Sequence, residues 1–137
     1  MLGELVLESS GQICGTHVLP LSDTGEIRTE CSFQGQGRML GIEIADAGAF
    51  VQTLRSDGVL YVEEGHVVIT GPGGAVAYLD GFALGKPLGA GNSVHFASCG
   101  VMRTTAHHWK RLNEVAIICE YDVDAQGKFT ARAWEWK

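Results

Sequence analysis

The chain has 137 residues, 45% of them hydrophobic and 19% charged, and a formal net charge of -6. That length fits one domain spanning residues 1–137, long enough to bury about two thirds of its unfolded surface. The acidic balance excludes a general nucleic-acid binder and disfavours anionic membranes. Apolar runs such as Glu114–Tyr121 (EVAIICEY) fall far short of the roughly 20 residues a membrane helix needs.

In chain order, strand-like segments recur: ELVLES, QICGTHVLPL, EIRTECSFQ, RMLGIEIAD, GVLYVEEGHVVIT, AVAYLDGFAL, NSVHFASCGVMRT, EVAIICEYDVD and KFTARAWEWK. Each is rich in β-branched or aromatic residues. Turn chemistry separates most of them: Asp23-Thr24-Gly25, Ser56-Asp57-Gly58, Gly71-Pro72-Gly73-Gly74, the run Gly85 to Asn92, and Asp124-Ala125-Gln126-Gly127. One segment competes for helix: Asp46 is a candidate cap, with Phe50, Val51 and Leu54 on one helical face. Phe50, Gln52 and Leu54 alternate equally well as strand or irregular chain.

Short strands without long amphipathic helices predict an all-β fold. The favoured form is a closed antiparallel, mostly up-and-down β-barrel of about eight strands, with a β-sandwich as the alternative. Nineteen glycines, about twice the usual share, include Gly15, Gly41, Gly65, Gly81 and Gly100 inside strand patterns, where bulges and barrel corners need them.

The four cysteines, Cys14, Cys31, Cys99 and Cys119, form no CxxC pair. With no signal-like opening in MLGELVLESSG, they read as free thiols in a reducing, cytoplasmic setting. Alternation in EVAIICEYDVD puts Val115, Ile117, Cys119, Tyr121 and Val123 on a core face, making Cys119 a small buried hydrophobe rather than a reactive thiol. In the last strand Arg132, Trp134 and Trp136 share one face and Phe129, Ala131, Ala133 and Glu135 the other. Apolar weight on both sides points to a homo-oligomer.

No catalytic motif stands out. His17, His66, His95, His107 and His108 lack the His-x-His spacing that places two ligands on one strand face, so neither a metal nor another cofactor is expected. Gly35-Gln36-Gly37 and Gly89-Ala90-Gly91 read as turns or bulges, not nucleotide loops. Polar residues within apolar strands are the subtler signal: Leu60, Val62, Glu64, His66 and Val68 alternate on one face, as do Val76, Tyr78, Asp80 and Phe82. If those faces look inward, His66 and Tyr78 meet across a hairpin with Glu43 and His95 on flanking strands, and Arg103 greets an anionic head at the barrel mouth. The competing reading leaves the same residues in solvent. The cationic stretch VMRTTAHHWKRLN (101–113) reads as a connection, with Trp109 folded onto the rim.

The tail RLNEVAIICEYDVDAQGKFTARAWEWK and the segment SDGVLYVEEGHVVIT resemble bacterial small-barrel proteins similar to the allene oxide cyclase barrel, over about Gly35 to Lys137. The resemblance rests on Leu112-Asn113, Asp122-Val123-Asp124 and Trp134-Glu135-Trp136. It implies a small, often oligomeric barrel whose apolar cavity takes a hydrophobic ligand. In cyclase members that cavity shapes an intramolecular cyclisation, but no cyclase motif matches here. The leading expectation is a binder of an apolar or amphipathic small molecule. The alternatives are a cofactor-free cyclase or isomerase using Glu43, His66, Tyr78 or His95, and a ligand-free scaffold. Cavity volume separates them, since a barrel with no pocket near about 300 Å³ favours the scaffold.

Overall fold

Eight antiparallel strands close into a barrel in which each strand pairs with its sequence neighbours and β1 pairs with β8. The strands are β1 (Leu2–Val18), β2 (Ile27–Met39), β3 (Ile42–Leu54), β4 (Leu60–Thr70), β5 (Val76–Pro87), β6 (Val94–Thr104), β7 (Ala116–Val123) and β8 (Lys128–Trp136). The structure, a computed structural model, describes residues 1–89, 91 and 93–137. The expected turn through Gly89-Ala90-Gly91 and the end of the Gly85–Asn92 run fall partly outside those residues. The two leading segments of the chain merge into one long β1, and the segment around Asp46, helical in one reading, is the middle of β3.

The two barrel ends differ. Connections 19–26, 55–59 and 124–127, with the described residues of the β5–β6 connection, surround one end, here called the mouth, which exposed Val18, Leu21, Ile27, Leu54 and Leu88 fringe. The opposite end carries the tight β2–β3 turn, in which Leu40 (φ 49) and Gly41 (φ 79) both adopt left-handed backbone. Two successive positive φ values match the twist of a two-residue hairpin. Leu40 tolerates this conformation while packing against the core, with its N–H donating to the Val6 carbonyl at 2.9 Å.

That second end is plugged. The β6–β7 connection folds into a 3-10 helix, His107–Glu114, whose Trp109 and Leu112 are fully buried among Val6, Met39, Ile69 and Ile117. Arg111 latches the plug from outside, donating to Glu135 at 2.8 Å and to Glu4 at 3.0 Å. The Arg111 guanidinium holds the Glu135 carboxyl below the usual range. Thus His107, His108, Lys110 and Arg111 belong to a stopper at the closed end, not to a loop over the mouth, while Arg103 lies in β6.

Toward the mouth, Phe33, Phe50, Phe96, Tyr121 and Phe129 form a continuous aromatic layer with ring centroids 4.9–6.2 Å apart. Most pairs are tilted or edge-on, which adds about 0.5–1.5 kcal/mol each beyond area burial.

Candidate functional site in the barrel interior

Between the plug and the aromatic layer lies a cavity of about 120 Å³. Three inward glycines help to leave it open. Gly65 of β4 pairs with Gly81 of β5, which pairs with Gly100 of β6, so three adjacent strands present no side chain at one level. Two of the three also let backbones approach closely. A Cβ on Gly81 would sit 2.3 Å from the Cys99 carbonyl oxygen, and one on Gly100 would sit 2.5 Å from that of Asp80. Gly65 is different, because a Cβ there meets nothing nearer than 3.6 Å. Leu7, Leu79 and Ile117 complete the wall on the plug side.

The cavity contains few polar groups, and two of them lack partners. Asp46, in β3, is only 6% exposed, and its Oδ1 has no hydrogen-bond partner among the described residues. It fits because its β2 neighbour is Gly35, where a Cβ would come within 2.6 Å of that oxygen. Burial raises the Asp46 carboxyl above its ordinary 3.8, with the Ser9 side chain partly countering. The Tyr121 hydroxyl of β7 is likewise buried and unpartnered, and burial pushes its ionisation up. Cys119, on the same face, has its thiol pushed up to about 11 by burial, which suits the inert role expected from its alternation.

The residues singled out from the sequence lie elsewhere. The expectation that Glu64, His66 and Val68 continue the inward face of Leu60 and Val62 fails at a bulge between Val62 and Gly65. The extra residue inverts the alternation, so Gly65, Val67 and Ile69 turn inward while His66 and Val68 turn outward. On β5 the inward set is Ala77, Leu79, Gly81 and Ala83, leaving Tyr78 and Asp80 outside. His66 pairs with Asp80, not Tyr78, and its Nδ1 lies 2.6 Å from the Asp80 carboxylate. Arg103 reaches the same carboxylate at 3.5 Å and stacks 5.6 Å over Tyr78. Thus His66, Tyr78 and Arg103 do converge, but around Asp80 on the outer wall of β4–β6. The bond to Asp80 raises His66, and the bond to His66 lowers Asp80. His66 also borders the cavity where the glycine row thins the wall.

His95 is separate, with Nδ1 2.6 Å from Asp122 across β6–β7. Glu43 is apart from both, 84% exposed and 3.9 Å from Arg38. Among the described residues no three His, Cys, Asp or Glu side chains stand together as a metal site. All four cysteines are free.

No protein-family model matches the sequence, and no curated protein does. The fold does match solved structures. A protein of unknown function from Clostridium acetobutylicum superposes with TM-score 0.82 at 13% identity, over 98% of both chains. A β-barrel-like protein from Acinetobacter baumannii does so with TM-score 0.80 at 14% identity, over 98% of this chain and 94% of that one. An enzyme from Penicillium herquei matches with TM-score 0.67 at 15% identity, over 96% and 92%. The chain is therefore a small closed β-barrel of the kind these bacterial proteins share. At such identities the likeness carries the fold alone. No helix among the described residues is long and apolar enough to cross a membrane.

Proposed function

We propose that the protein binds a small apolar or amphipathic molecule in the barrel interior. The observation that carries this reading is the apolar cavity with two buried, unpartnered polar atoms, Asp46 Oδ1 and Tyr121 Oη. Each unmet buried group costs about 1–3 kcal/mol, a cost that a ligand oxygen in the cavity would offset. The volume of about 120 Å³ lies below the roughly 300 Å³ of drug-sized sites. That counts for the scaffold reading against any fatty-acid-sized ligand. It is close to the roughly 150 Å³ of an apolar cavity that takes benzene, so the size selects one small ring or short chain. The apolar fringe of the mouth, Val18, Leu21, Ile27, Leu54 and Leu88, suits the approach of such a molecule.

Gly65→Val is the direct test, since its added methyl groups enter the cavity past an unobstructed Cβ position. Benzene and cyclopentanone titrated by ligand-observed NMR should bind the wild type and lose about tenfold or more in affinity in the variant. The fold, read by circular dichroism, should persist. Equal binding by both proteins places the ligand outside the cavity and defeats the reading.

A catalytic role for the same interior has one support, the enzyme from Penicillium herquei among the structural neighbours. Proton transfer in a cofactor-free isomerase or cyclase then falls to Asp46 and Tyr121, inside the cavity, rather than to Glu43, His66, Tyr78 or His95.

The outer wall supports self-association. Phe82, Cys99, Ile118 and Trp134 are successive register partners across β5, β6, β7 and β8, forming one apolar row on the outside. Exposed Leu84 and Val101 widen it. At its edge Glu120 and Arg132 are register partners of opposite charge, which a two-fold copy can pair with in exchange. Light scattering on the wild type should give a dimer that Phe82→Glu with Ile118→Lys reduces to a monomer. A monomeric wild type at high concentration removes the proposal.

A further inference from the structure

We propose that the interior site selects neutral ligands that carry a hydrogen-bond-accepting oxygen on a small apolar ring, such as a cyclic ketone, lactone or ether, with Asp46 and Tyr121 as the two donors to that oxygen. This rests on the interior-binding reading and narrows it to a chemical class.

The argument starts from what the cavity omits. Its wall is almost wholly hydrocarbon, and among the described residues no cationic side chain belongs to it apart from His66, whose ring is turned outward onto Asp80. A carboxylate or phosphate ligand thus meets no counter-charge and bears its full desolvation cost. A plain hydrocarbon fits the wall but leaves Asp46 Oδ1 and Tyr121 Oη unpaired, and an unmet buried polar group is the stronger penalty. A ligand oxygen satisfies both at once. Two observations support the direction of the hydrogen bonds. Burial keeps the Tyr121 phenol protonated, and it raises the Asp46 carboxyl toward its acid form, in which Oδ1–H donates. A carboxylic acid held neutral in an apolar pocket is a known means of presenting a donor to a carbonyl-type oxygen.

The glycine next to the carboxyl strengthens the case. Any side chain at Gly35 runs into Asp46 Oδ1 and into the Phe129 ring, at 2.6 and 2.8 Å from its Cβ. Glycine at this position of β2 therefore lets the carboxyl oxygen and the Phe129 ring pack together. Phe129 stacks on the Tyr121 ring at 4.9 Å. Donor and carboxyl thus share a neighbour and border one cavity.

Three probes of one size test the proposal: cyclopentanone, cyclopentane and cyclopentanecarboxylate, titrated by ligand-observed NMR from pH 4 to 8. The ketone should bind about tenfold or more tightly than the hydrocarbon, and the carboxylate not at all. Tyr121→Phe and Asp46→Ala should each remove several-fold of the ketone affinity and leave cyclopentane unchanged. Asp46→Asn, which keeps a neutral donor, should retain ketone binding and abolish its fall as pH rises through the Asp46 ionisation. Equal affinity for ketone and hydrocarbon overturns this inference while leaving interior binding intact. Binding of none of the probes overturns the interior-binding reading itself, so the two failures are distinct.

Discussion

Trp109→Ala is expected to destabilise the fold by about 3–5 kcal/mol, measured by urea unfolding at constant protein concentration. Trp109 is fully buried and enters the closed end of the barrel beside Met39, Ile69 and Leu112. Its ring also covers Gly71, where a Cβ would lie 2.7 Å from Trp109 Cη2, so the β4–β5 turn is shaped to the indole. Removing the ring leaves a void that strands joined in a closed hydrogen-bonded circuit cannot collapse to fill, which places the cost in the upper part of the range for large-to-small changes. Trp109→Phe should recover more than half of the loss, since the Nε1–H makes no hydrogen bond among the described residues. A loss under about 1 kcal/mol in Trp109→Ala shows that the plug packs on a finished barrel and does not hold it.

Asp46→Asn should stabilise the protein by about 1–3 kcal/mol near neutral pH and scarcely at all in acid. The sign follows from the direction of the shift. In the unfolded chain Asp46 loses its proton near 3.8, but in the folded barrel burial keeps it protonated to higher pH. The wild type is therefore favoured below 3.8 and loses that contribution as pH rises through the raised folded value. Asparagine does not ionise and escapes the loss. Thermal unfolding of both proteins from pH 3.5 to 8 should give curves that coincide at the acid end and separate toward neutrality. Glu135, depressed by Arg111, titrates with the opposite sign and weakens both proteins alike as pH falls. A constant difference across the range means that Asp46 is ionised as freely inside as outside.

The barrel was legible in the sequence because its evidence is local: strands of alternating pattern, turn residues between them, and no competing helix of useful length. The faces of β7 and β8 followed from uninterrupted alternation, and Ile117, Ala131 and Ala133 are buried accordingly. The site was hidden for an equally physical reason. One bulge between Val62 and Gly65 exchanges the two faces of β4 midway, and no strict period of two survives it. The reading that turns His66 inward fails at that bulge, and on β5 the buried set Ala77, Leu79, Gly81 and Ala83 leaves Tyr78 outside, as the solvent-facing alternative has it. Asp46 was obscured because an acidic residue before an apolar run also caps helices, although Ile42, Ile44, Asp46, Gly48 and Phe50 alternate cleanly toward the core. Tyr121 did appear on a core face. What nothing in the one-dimensional pattern conveyed was that its hydroxyl, Asp46 and three aligned glycines meet around one space, since that depends on register among five strands.

Seven of the eight seams of this barrel join strands that are neighbours in the chain, and the eighth joins β1 to β8. The polypeptide can therefore zip from hairpin to hairpin, yet it has no closed wall until its final strand arrives. Up to that moment β1 and whichever strand is last in place present bare edges able to recruit the same edges of another molecule. Folding of this architecture should be quick to begin and exposed to aggregation until its last step, and loss of β8 should reopen the long edge of β1 along its whole paired length, Leu2 to Gln12.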